Sequence, residues 1–149
     1  MLKIAVIGAT GLVGREMLEE LDAEIPEPID LRLWASSRSV GQALYFRGQK
    51  HLIRAWNLEE FRDVDFVLMS AGSSFSKQYA PILAELGNLC IIDNSSAWRN
   101  TEHIPLVAAG VNDHILNNSN ASIVANPNCS TIQMALVLAP LAKAYGLQS

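Results

Sequence analysis

Two rhythms of apolar residues run through this chain. Short, nearly continuous apolar runs read as strands buried on both faces: Ile4, Val6 and Ile7 before Gly8, then Leu31–Ala35, Asp65–Ala71, Cys90–Asp93 and Ser122–Ala125. Ala43–Phe46, His51–Trp56 and Leu106–Val111 read as shorter strands. Between them, apolar residues recur at helical spacing. Val13, Met17, Leu18 and Leu21 predict a first helix to about Leu21. Tyr79, Ile82, Leu83 and Leu86 predict a second, capped by Ser74 and stopped at Gly87. Ile132, Leu136 and Val137 predict a third, which Pro140 should kink or end. Asn57, with Glu60 three residues on, predicts a brief helix opened by a capping box.

Strands alternating with helices predict an α/β fold: a mostly parallel sheet with helices on both faces. Ligands of such sheets bind beyond the C-terminal strand ends. The polar turns GATG, SSRS, AGSS, NSSAWR and NPNCST all fall at those ends, so they should line one crevice.

The first turn is the most specific. Gly8, Gly11 and Gly14 follow a strand and open a helix, the context that distinguishes a dinucleotide-binding turn from a glycine-rich turn that binds nothing. Gly8 allows the tight turn, Gly11 lets the backbone approach phosphates, and Gly14 lets the helix pack closely. Thr10 adds a hydroxyl, and the helix N-terminus attracts a pyrophosphate. This is a Rossmann-like, doubly wound arrangement. At the end of the second strand, where NAD-selective proteins place an acid, stand Ser36, Arg38 and Ser39. They suit a 2′-phosphate, so NADP is expected over NAD; the alternative is a solvated turn.

Composition narrows the partners. Half of the 149 residues are hydrophobic and 17% are charged, which suits one folded domain. The net charge of −4, with no basic cluster, argues against nucleic acid. No apolar run is long enough to span a membrane, and the N-terminus lacks a signal-peptide layout. Two cysteines make no disulfide framework, so a cytoplasmic setting is expected. No metal-ligand spacing is present, and His51, His103 and His114 read as isolated surface or loop residues.

Cys129 falls at or just before the start of the third helix, where unpaired N–H groups and the dipole favour a thiolate. It reads as a nucleophile, against the alternative of a small buried thiol. Cys90, inside LCII, fits that alternative. Asn94 offers hydrogen bonds and Arg99 a forked cation for phosphate or carboxylate; Arg99 could equally be a surface residue. A nicotinamide site, a thiolate and an arginine suggest reduction of an acyl phosphate through a thioester. A non-catalytic NADP-binding or sensing module explains the glycine turn and SSRS equally well, but gives Cys129 and Arg99 no role.

GATGLVG (8–14), ASSRSVG (35–41), DNSSAWR (93–99) and NPNCSTIQ (126–133) together resemble the N-terminal part of the aspartate-semialdehyde dehydrogenase family. The resemblance runs over essentially the whole chain. It implies NADPH-dependent conversion of aspartyl phosphate to aspartate semialdehyde, a step feeding lysine, methionine, threonine and isoleucine synthesis. It implies Cys129 as the thioester nucleophile, Arg99 as the phosphate ligand and Asn94 in the active-site loop. Thr10, Gly11, Leu12 and Val13 would hold the pyrophosphate, and Arg38 and Ser39 the 2′-phosphate. Gly72 and Ser73 would lie near the cofactor. Ala109 and Gly110 depart from the family's Pro-Glu.

Family members are much longer. Their second domain supplies a catalytic histidine, a substrate-binding arginine and much of a homodimeric or larger interface. The chain is therefore expected to be an NADP-binding domain over 1–149, without that second domain, that binds NADP weakly and turns over little or nothing alone.

Overall fold

The computed structural model describes residues 1–146, so the last three positions of the expected 1–149 domain lie outside the described residues. Seven strands form one sheet in the order β3-β4-β2-β1-β5-β6-β7. They are β1 (Leu2–Ile7), β2 (Ile29–Trp34), β3 (Ala43–Phe46), β4 (Gln49–Arg54), β5 (Phe66–Met69), β6 (Cys90–Asp93) and β7 (Ile123–Ala125). The helices are α1 (Leu12–Glu24), α2 (Ser73–Ala84) and α3 (Cys129–Tyr145). Every pairing is parallel except the β3–β4 hairpin at one edge. The expected doubly wound, Rossmann-like sheet is the observed one.

β1 explains why the sheet needs cover on both sides. Its side chains alternate: Ile4 and Val6 enter one core with Leu18 and Leu21 of α1, while Ala5 and Ile7 enter another with Ala80 and Leu83 of α2. Strand order reverses beside β1, which has β2 on one flank and β5 on the other. That is where the C-terminal ends splay into a crevice.

Several expectations need correction. α1 runs to Glu24 rather than Leu21, and Arg47 caps its end by donating to the Leu21, Ile25 and Glu27 carbonyls. α2 starts at Ser73 with Gly72 (φ 85°) as its N-cap, not Ser74. Its buried residues are Ser76, Ala80 and Leu83, and Ile82 faces outward. Asn57 accepts from the Glu59 N–H at the start of a 3-10 turn, but Glu60 pairs with Arg54 instead of closing a capping box. Leu106–Val111 is not a strand. One bridge from Leu106 to Ala125 forms, then the Val111 and Asn112 N–H groups turn back onto the Ala108 carbonyl. α3 continues through Pro140 to Tyr145; proline removes one N–H without ending the helix. His51 lies half-buried on β4, its Nδ1 3.2 Å from the Leu31 carbonyl, rather than on a free surface.

Candidate active site

The glycine turn is shaped by its neighbours before any ligand is considered. Gly8 has φ 91°, and its N–H donates 2.8 Å to the Trp34 carbonyl. A Cβ there would fall 2.3 Å from the Ser70 carbonyl oxygen. At Gly14 a Cβ would fall 2.2 Å from the Gly8 carbonyl oxygen, so α1 packs directly on the turn. Gly11 is the N-cap of α1, and no side chain caps that end. The first N–H groups of the helix therefore face the crevice without a side-chain acceptor, as a dinucleotide pyrophosphate requires. Leu12 and Val13, the first two residues of α1, are exposed there.

A cleft of about 540 Å³ opens beside this turn, bordered by Gly8, Thr10 and Gly11, by Ser36, Ser37 and Val40 after β2, and by Ser70 and Ala71 after β5. Its far wall is aromatic: Trp56, Phe75 and Tyr79. Arg38 and Ser39 lie between the bordering residues Ser37 and Val40; Arg38 is exposed and enters no ion pair among the described residues. The Ser36 and Ser39 hydroxyls lie 3.5 Å apart. Among the described residues no acidic side chain borders this cleft, and Arg38 and Ser39, though between Ser37 and Val40 in sequence, do not themselves border it.

The second half of the site hangs on the loop after β6. Asp93 is fully buried, and its carboxylate accepts from the Ser76 hydroxyl at 3.0 Å, the Ser95 hydroxyl at 2.6 Å and the Ser95 N–H at 3.2 Å. The Trp98 indole donates 2.7 Å to the Ser76 hydroxyl. This network, which sequence reasoning missed, ties the loop to α2. Arg99 then reaches across, its Nε donating 3.0 Å to the Asn126 carbonyl and Nη2 3.0 Å to the Asn94 carbonyl. The Asn126 amide donates 2.7 Å to Asn94 Oδ1. Asn94 and Arg99 are thus joined to the NPNC turn. Ser73, the first residue of α2, meets the Ser96 hydroxyl at 2.9 Å, so Gly72 and Ser73 border the same loop.

Cys129 is the first residue of α3 and is exposed. Asn128, not singled out from the sequence, caps the helix by accepting from the Ser130 N–H at 3.0 Å and its hydroxyl at 2.6 Å. The Cys129 thiol lies 3.9 Å from Asn128 Oδ1. Cys90 is half-buried, and burial pushes its thiol pKa up, as suits an inert cysteine. Gly110 takes φ 78°, and a Cβ there would sit 3.5 Å from Leu136 of α3, so the departure at 109–110 lies against the helix that Cys129 opens. Among the described residues no cluster of ligating side chains could hold a metal, and no helix is long and apolar enough to cross a membrane.

The pattern defining the semialdehyde dehydrogenase NAD-binding domain matches residues 3–119. An aspartate-semialdehyde dehydrogenase of Aquifex aeolicus is 44% identical over 98% of this chain and 43% of its own length. One from Bacillus subtilis is 45% identical over 98% of this chain and 42% of its own. The crystal structure of aspartate semialdehyde dehydrogenase II from Vibrio cholerae, complexed with ASA, superposes with a TM-score of 0.87 at 42% identity, covering 99% of this chain and 48% of that one. The chain thus spans less than half the length of these relatives. It belongs to the semialdehyde dehydrogenase family, as an NAD-binding domain of the aspartate-semialdehyde dehydrogenase type.

Proposed function

We propose that this chain is the NADP-binding, nucleophile-bearing part of a cytoplasmic aspartate-semialdehyde dehydrogenase, acting in the reductive dephosphorylation of L-aspartyl-4-phosphate. The observation that carries the reading is the Arg99 bridge. One guanidinium holds the loop carrying Asn94 to the turn that presents Cys129. It does so beyond the C-terminal ends of β6 and β7, which run parallel to β1 in the same sheet and so end on the same edge as the glycine turn.

Cys129, at the N-terminus of α3, attacks the acyl carbon. A C–S bond forms, the acyl C–O bond breaks, and phosphate leaves with the electron pair. Arg99 holds the phosphoryl oxygens through the N–H groups that its two carbonyl contacts leave free. Gly8, Thr10, Gly11, Leu12 and Val13 would hold the cofactor pyrophosphate, Ser36, Arg38 and Ser39 its 2′-phosphate, and Gly72 and Ser73 would border it beyond β5. A bound NADPH would supply the hydride for the Cys129 thioester, and Cys129 would leave as the thiolate when the aldehyde is released.

No side-chain base stands within hydrogen-bond reach of the Cys129 thiol among the described residues. On that ground these 149 residues, which we expect to bind NADP weakly, turn over little or nothing by themselves. Calorimetry with NADP and NAD tests the cofactor assignment. Arg38→Ala is expected to remove most of the preference for NADP, and an unchanged affinity ratio would sink it. Phosphate-dependent oxidation of aspartate semialdehyde by the purified chain would overturn the inactivity.

A further inference from the structure

The chain has three tryptophans, three tyrosines and four phenylalanines, and half of these rings form one connected stack. Trp34 is buried and stacks on Phe61 at 4.3 Å between centroids. Phe61 meets Trp56 at 5.1 Å, and Trp56 meets Phe75 at 5.5 Å and Tyr79 at 4.6 Å. The inner members serve the core. The outer end does not: Trp56 remains 38% exposed on the loop after β4, and it opens on the cleft that begins at Gly8 and Gly11.

We infer that Trp56, braced by Phe75 and Tyr79, is the stacking platform for the adenine ring of a dinucleotide held at the glycine turn. This rests on the dinucleotide reading above and adds residues to it. The adenosine end of a dinucleotide lies toward the C-terminal end of the second strand, on the side where Ser36 and Trp56 border the cleft. An aromatic face binds a purine by stacking without any edge hydrogen bonds. Packing against Phe61, Phe75 and Tyr79 fixes the Trp56 ring beforehand, so little side-chain freedom is lost on binding.

The test is calorimetry of the 149-residue chain with NADP, with adenosine 2′,5′-bisphosphate, which lacks nicotinamide, and with nicotinamide mononucleotide, which lacks adenine. Trp56→Ala should weaken the two adenine-bearing ligands alike, by about tenfold. Trp56→Phe should weaken them by only about threefold. Any affinity for the mononucleotide should be unchanged by either substitution. Equal binding of adenosine 2′,5′-bisphosphate by the original chain and Trp56→Ala overturns the platform and leaves the dinucleotide reading standing. A chain that binds neither NADP nor the bisphosphate overturns both. Should Trp56→Ala lose its fold by circular dichroism, nuclear Overhauser effects in the unsubstituted chain decide. Cross-peaks between the Trp56 indole and adenine H2 or H8 support the platform, and their absence at saturation overturns it.

Discussion

The two ends of the crevice are built differently. The glycine turn is locked from every side: Gly8 against Ser70, Gly14 against Gly8, and α1 buried through Gly14, Leu18 and Leu21. The helix that presents Cys129 is fixed at its start by the Asn128 cap. None of α3 is buried, although its residues are largely apolar; Met134 is 57% exposed and Val137 61%. A binding turn can be finished within one domain because its shape comes from backbone meeting backbone. A helix opened by a side-chain cap needs no burial along its length to be positioned at its first residue.

The sharpest way to break this contrast is to add one carbon at the glycine turn. Gly14→Ala forces a Cβ into the Gly8 carbonyl and should cost about 3 kcal/mol or more in urea unfolding. A cost below about 1 kcal/mol would show that the turn yields and is not locked. Next in size is the buried carboxylate. Ser76→Ala removes the hydroxyl that accepts from Trp98 and donates to Asp93, leaving both partners short. It should cost about 1–3 kcal/mol and change near-ultraviolet circular dichroism from the indole. An unaltered tryptophan signal would mean that the network does not order the loop.

On the other side of the comparison, Val137→Lys should change the chain's stability by no more than about 0.5 kcal/mol. A large loss would reveal cover over α3 that the fold does not show. The smallest effect concerns pH. Arg32 and Lys3 hold the Asp63 carboxylate well below its ordinary range, chiefly through the Arg32 hydrogen bonds. The folded chain therefore releases that proton more readily than the unfolded one. The contribution is complete above about pH 4 and fades as pH falls toward the lowered value. Asp63→Asn should flatten the acid limb of a Tm–pH profile slightly and leave the neutral region almost unchanged; the exposure of Asp63 keeps the effect small.

What sequence made legible was what neighbours along the chain decide. β1, the glycine turn, α1 and the start of α3 at Cys129 follow from local period and turn chemistry. The long segment between β6 and β7 misled, because the apolar run Leu106–Val111 looks like a strand while the Asn112 side chain, accepting from the Ala108 N–H and donating to the Leu106 carbonyl, folds it back. The Asp93–Ser76 bond joins residues 17 apart, and the Arg99 bridge to Asn126 spans 27. No local spacing announces either. The aromatic wall was equally hidden, since Trp56 follows β4 while Phe75 and Tyr79 lie on α2. Helical spacing of Ile132, Leu136 and Val137 marked α3 as apolar, but spacing carries no information about what covers a helix.

The Ser70 carbonyl beside Gly8 has a consequence for inheritance. The side chain that Gly8 lacks would collide with the protein's own backbone, and so would the one missing from Gly14. A descendant of this domain that gave up its nucleotide would still be held to both glycines by folding alone. Two of the three glycines that advertise a cofactor would thus persist as architecture after the cofactor was gone. Gly11, whose absent Cβ would come only within 3.3 Å of the Gly8 carbonyl, would be the first free to drift.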